Sequence, residues 1–121
     1  PEGLVAWDKF DQEIWGGNYA NHHGNGKTTT VAALCKHEIL NGVDLQNFTT
    51  IGSLYQVNPL SSSTQAILSG TIPDKPMEPI AWTNKTIFGG RAFYTSLGQI
   101  KDFDTEPMNV LLKNAIAWAL N

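Results

Sequence analysis

The chain has 121 residues, 41% of them hydrophobic, with 8 Lys and Arg against 11 Asp and Glu and a net charge of −3. A domain of this length buries roughly two thirds of its unfolded surface, so a packed core is expected and disorder and fibrous repeats are excluded. The mild acidity gives no electrostatic footprint for a phosphate backbone, which argues against nucleic acid as a partner.

Charge is sparse at 16%, against about 25% in an ordinary domain. Asn and Thr together number 21, so neutral polar groups replace much of the usual charged surface. Leu45 to Pro73 carries no charge at all, but 14 of its 29 residues are Ser, Thr, Asn or Gln. A membrane span needs about 20 predominantly apolar residues, so none is expected here. The opening Pro1-Glu2-Gly3-Leu4 has neither the basic nor the apolar region of a signal peptide. A soluble chain is expected, cytoplasmic or periplasmic. The single Cys35 excludes an internal disulfide and a Cys-rich metal site, and reads as a small buried hydrophobe.

In chain order, Trp7, Phe10 and Ile14 have the spacing of a short amphipathic helix, which Gly16-Gly17-Asn18 ends. The loop Tyr19 to Gly26 is dense in Gly and Asn and holds His22-His23. Thr28 to Ala33 has β-branched residues at strand density, and His37 to Gly42 reads as one helical turn. Phe48 to Val57 alternates like a strand, and Gln65 to Ile72 is another, ended by Pro73. Ile80 to Thr83 and Arg91 to Thr95, joined across Gly89-Gly90, form a hairpin. Asp104 or Thr105 caps a last helix with Pro107 in its first turn. Leu111, Ala115, Trp118 and Ala119, flanked by Met108 and Leu112, form its apolar stripe. The pattern is α/β or α+β in one domain, residues 1–121. Strand follows strand in the middle, so either the sheet is largely antiparallel or strands from elsewhere complete it.

Gly26-Lys27-Thr28 resembles the end of a phosphate-binding loop, but Asn21 stands where that loop needs Gly, and a strand follows where it needs a helix. Adjacent His22 and His23 are suited to general-base chemistry near neutral pH. Two imidazoles alone do not make a zinc site, and a solvent-exposed or capping role is the simpler reading. Trp82 and Tyr94 can stack on a sugar ring or belong to the core.

Several segments in order carry a resemblance: Lys9 to Tyr19 followed by His22-His23, Gly52-Ser53-Leu54-Tyr55, Glu78 to Thr83, Gly90 to Gly98, and Leu111 to Leu120. Together they resemble the ThuA-like (trehalose utilisation) domain. That resemblance implies a flavodoxin-like, class I glutamine amidotransferase-like sheet with helices on both faces, of which this chain is the later part. It implies a role in the metabolism of trehalose, other disaccharides or keto-sugars, acting on or binding a sugar-like small molecule. If the domain is an enzyme, a hydrolase or isomerase activity on a sugar derivative is implied and glutaminase chemistry is not, because Cys35 lacks the strand–turn–helix setting of that nucleophile. A binding or scaffold domain within a larger assembly is the alternative.

By this resemblance Gly17, Asn18, Tyr19, Tyr55, Trp82 and Gln99 shape a substrate cleft. His22 or His23 is the catalytic candidate, oriented by Glu13. No cofactor is implied; a metal, if one is held, falls to His22 and His23. The family often has His after Ser-Leu-Gly; here it is Gln99, which takes up no proton at neutral pH. A partial domain also implies a partner, either another chain completing the sheet or a second copy, with Thr28–Ala33 and Phe48–Val57 as the strands expected to lie open.

Overall fold

The computed structural model describes residues 6–121. Five strands form one sheet, β2 (Thr29–Ala33), β3 (Thr49–Thr50), β5 (Thr64–Thr71), β6 (Glu78–Lys85) and β7 (Arg91–Thr95). Their order is β3-β2-β5-β6-β7, and every neighbouring pair is antiparallel. A second, two-stranded ribbon pairs β1 (Asn21–His22) with β4 (Tyr55–Gln56). One long helix, α1 (Glu106–Leu120), ends the chain. The mixed α/β class, the hairpin and the C-terminal helix are as the sequence indicates, and the antiparallel alternative holds for the sheet.

The organising strand is β6, of whose eight residues seven are buried. Side chains alternate across a strand, so Glu78, Ile80, Trp82 and Asn84 face one side and Pro79, Ala81 and Thr83 the other. The hairpin after β6 closes on Thr86: its hydroxyl accepts from the Phe88 and Gly90 N–H groups, and Gly89 adopts φ +83°. That left-handed position is one a side chain disfavours.

Helix α1 lies on the face of Arg91 and Phe93. Met108, Leu111 and Ala115 join the core cluster of Ile67, Leu68 and Ala81. The Asn114 side chain donates to the carbonyls of Ile39 and Asn41, pinning the helix to the short 3-10 turn Glu38–Leu40. The opposite face is covered by the N-terminal segment. Trp82 Nε1 donates to the Trp15 carbonyl at 2.7 Å and Asn84 Nδ2 to the Ile14 carbonyl at 2.8 Å.

Four elements differ from expectation. The helix around Trp7, Phe10 and Ile14 is a five-residue π-helical turn, Asp11–Trp15, and Trp7 and Phe10 remain exposed. The expected strand Phe48–Val57 is broken. Only Thr49–Thr50 and Tyr55–Gln56 are extended and paired, in different sheets, because the chain turns at Ile51 to Leu54, where Gly52 has no side chain to hold it in a ladder. Thr28–Ala33 is not at an open edge: β2 lies between β3 and β5, and the outer strands are β3 and β7. On α1, Leu111 is fully buried but Trp118 is half-buried and Ala119 exposed. The helix runs past the sheet edge there, and Trp118 packs between the Arg91 guanidinium, 5.0 Å above its ring, and the edge of His37.

This division predicts two different costs. Leu111→Ala, which opens a cavity in the closed core, is expected to destabilise by about 2–5 kcal/mol. Trp118→Ala removes a half-wet contact and is expected to cost clearly less. Urea unfolding of the two variants checks the order, and an equal or reversed ranking contradicts the packing described.

Candidate functional site

A cleft of about 310 Å³ opens where the broken Thr49–Gln56 segment meets the chain leaving β7. Its floor is apolar, formed by Leu54, Ile80 and Leu97. Its walls are neutral and polar: Thr50, Ser53 and Tyr55 on one side, Ser96 and Gln99 on the other, with Asn25 reaching in from the loop after β1. Thr29 also lines it, and the Thr29 hydroxyl is buried without a hydrogen-bond partner among the described residues.

The single charged group lining the cleft is Asp102, 4% exposed. Its Oδ2 accepts from the Thr50 hydroxyl at 2.9 Å, the Gly98 N–H at 3.1 Å and the Gln99 N–H at 3.0 Å. Gln99 reciprocates by accepting the Lys101 N–H on Oε1 at 2.8 Å. These contacts form a capping box on the 3-10 turn Ile100–Asp104. One carboxylate thus ties together the two walls, β3 on one side and the β7 exit on the other.

His22 sits on the ribbon beside this cleft, where β1 pairs it with Tyr55, and His23 follows it. His22 is exposed, and its Nδ1 lies 2.7 Å from the Ser53 hydroxyl and 3.2 Å from the Gly24 N–H. Its ring stacks on Tyr19, which in turn meets Tyr55 edge-on at 4.9 Å. His23 is half-buried and instead has the Gln56 side-chain amide 3.3 Å from its Nδ1. His22 ends β1 and His23 lies just beyond it, and the two imidazoles have separate surroundings.

Beside the cleft lies a smaller aromatic hollow of about 200 Å³, lined by Trp15, Tyr19, Trp82 and Tyr94 with Asp11 and Asn18. Trp82 is 1% exposed and stacked on Tyr94 at 4.1 Å. It forms the wall of the hollow and belongs to the core, so its face is not free for a ligand. Gly17 is required by the same wall: a Cβ there would lie 2.7 Å from Leu60 and 3.1 Å from the Trp82 ring.

The residues singled out from sequence therefore divide. Tyr55 and Gln99 line the main cleft, with His22 bonded to its wall through Ser53. Gly17, Asn18, Tyr19 and Trp82 belong to the hollow, and Asn18 is held there by the Gln12 side chain at 2.9 Å. Glu13 is not beside either histidine. Its carboxylate accepts from Trp7 Nε1 at 2.7 Å, because the π-helical turn carries it away from the loop. Ser53 and Asp102 were not apparent as site residues, although the spacing Gln99-x-x-Asp102 is itself a capping-box signal. Among the described residues, no group of 3 or more His, Cys, Asp or Glu gathers as metal ligands, and no helix is long and apolar enough to cross a membrane.

An antiparallel sheet flanked by one long helix, with a polar cleft at the strand ends, defines a mixed α/β domain. The family model described as ThuA, trehalose utilisation, matches residues 3–119, and the chain belongs to that family. No curated protein and no solved structure gives a match.

The hollow has a readable titration. Burial pushes the Tyr94 phenol above its ordinary value of 10.0, with the neighbouring Tyr55 and Asp11 adding to the effect. The raised native value means that the stability it contributes is complete below the unfolded phenol value and is lost as pH rises through the native one. Of the 3 tyrosines, Tyr94 is expected to ionise last in an ultraviolet titration. Tyr94→Phe should delete that late phase, and three tyrosines titrating together would contradict the burial.

Proposed function

We propose that this chain takes a sugar-like small molecule, trehalose, another disaccharide or a keto-sugar, in the cleft over Leu54 and Ile80. We infer further that it acts on that molecule through His22. Membership of the trehalose utilisation family supports a role in carbohydrate use. The observation that carries the finer reading is the chemistry of the walls: hydroxyl and amide groups of Thr50, Ser53, Tyr55, Ser96 and Gln99 over an apolar floor. A sugar presents the same combination, hydroxyl edges around a C–H face. The one carboxylate present, Asp102, is already occupied by three donors, so the cleft makes no demand for a cationic ligand.

Within this reading Tyr55 offers an aromatic face and a hydroxyl, and Gln99 a side-chain amide held in place by Lys101 N–H. His22, bonded to the cleft wall through Ser53, is the general base of this reading. Gln99 orients and does not titrate.

Calorimetric titration with trehalose, glucose and an oxidised disaccharide tests the reading, with product formation followed in parallel. Binding is expected for at least one of them. Tyr55→Ala should weaken it about 5- to 10-fold, the loss of roughly 1–1.4 kcal/mol from one contact. No binding at millimolar sugar, or binding indifferent to Tyr55→Ala, would overturn the proposal.

A further inference from the structure

The contact between Ser53 and His22 has a direction. A neutral imidazole carries one N–H and one lone pair. The Gly24 N–H, 3.2 Å from His22 Nδ1, is a donor and nothing else. It therefore marks Nδ1 as the acceptor and leaves the proton on Nε2. The Ser53 hydroxyl, 2.7 Å from the same Nδ1, must then donate to it. Nothing else in the described chain holds Ser53 in this way. A serine hydroxyl on a cleft wall, pointing its proton at the lone pair of an imidazole beside the cleft, is the arrangement that activates a nucleophile.

We propose that Ser53 is a nucleophile activated by His22, and that the cleft removes an acyl group from a sugar ester. Ser53 Oγ attacks the ester carbonyl carbon as its proton passes to His22 Nδ1. The tetrahedral adduct collapses with cleavage of the bond between that carbon and the sugar oxygen, which takes the proton back from His22 and leaves as a free hydroxyl. Water then attacks the acyl-Ser53 ester and gives a proton to His22; that proton returns to Ser53 Oγ as a carboxylic acid departs. The sum is one ester and one water consumed, one alcohol and one acid formed.

The local chain suits the first step. Gly52 precedes the nucleophile and leaves its approach open. Gln99 stands against it, its Cβ within 3.5 Å of where a Gly52 side chain would begin. Gln99 lines the same cleft as Ser53 and carries a neutral amide donor of the kind that stabilises a developing oxyanion. A proton resting on His22 Nδ1 opposes the Gly24 N–H, which favours its prompt transfer to the leaving sugar oxygen. The serine–histidine pair stands on its own geometry; the sugar half of the ester rests on the reading of the cleft given above.

A fluorophosphonate probe tests the pair directly, with the labelled serine located by peptide mass spectrometry. Labelling is expected at Ser53, abolished when the chain is unfolded in urea and slowed about 100-fold or more in His22→Ala. His22→Gln serves as a second variant, and the melting curve of each establishes that it is folded. The same samples are assayed for acetate release from an acetylated trehalose, which Ser53→Ala should abolish. Absence of label on Ser53 of the folded protein, or equal labelling in the folded histidine variants, overturns the nucleophile while leaving sugar binding by calorimetry untouched. Label on Ser53 with no acetate released and no sugar bound overturns the sugar ester and leaves the activated serine standing.

Discussion

The structure around the cleft depends on one buried carboxylate. Asp102 is 4% exposed and takes the Thr50 hydroxyl and the Gly98 and Gln99 N–H groups on a single oxygen. Burying an ion without partners is costly, whereas three donors convert that cost into a geometric constraint. Thr50 belongs to the outermost strand on one side, and Gly98 and Gln99 leave the strand at the other edge of the sheet. Those edges close over Leu54, Ile80 and Leu97 because Asp102 stands between them. Remove the carboxylate and three donors face an apolar floor.

A second constraint works on the same face of the sheet. Trp82 and Asn84 on β6 donate to the carbonyls that end the π-helical turn, Trp15 and Ile14. Gly16 then adopts φ +77°, and a side chain there would collide with Thr64 and Asn84. The chain can cross the sheet this closely only as Gly16-Gly17. The crossing leads into Tyr19, which props His22 on one side and Tyr55 on the other. The position of the imidazole beside the cleft is thus set from two directions, by the aromatic stack and by Ser53.

Much of the fold was legible because its signals are local. The Thr86–Gly90 turn, flanked by β-branched and aromatic residues, marks the hairpin. Pro107 after Thr105 marks the start of α1. What failed did so for equally physical reasons. Phe48 to Val57 alternates well enough to read as one strand, but alternation is blind to a turn at Gly52-Ser53, and the two ends pair in different sheets. Two-residue strands such as β1 carry no period at all. Trp118 sits on the apolar stripe of α1, yet the stripe outruns the sheet. Of the residues expected at a site, Tyr55 and Gln99 line the cleft and His22 is bonded to its wall, whereas the π-helical turn holds Glu13 toward Trp7. Ser53 could not be found from its own residue type, since its significance lies wholly in where the ribbon places His22.

We propose that the cleft built around Asp102 receives a sugar. The most direct measurement follows backbone amide resonances during addition of trehalose, in the native chain and in Asp102→Ala. In the native chain the shifts should gather at Ser53 to Tyr55 and Ser96 to Gln99. In the variant they should vanish there while the amides of Leu111 and Ala115 keep their native positions. Shifts confined to Trp15, Tyr19 and Tyr94, or a variant that binds as the native chain does, would contradict it.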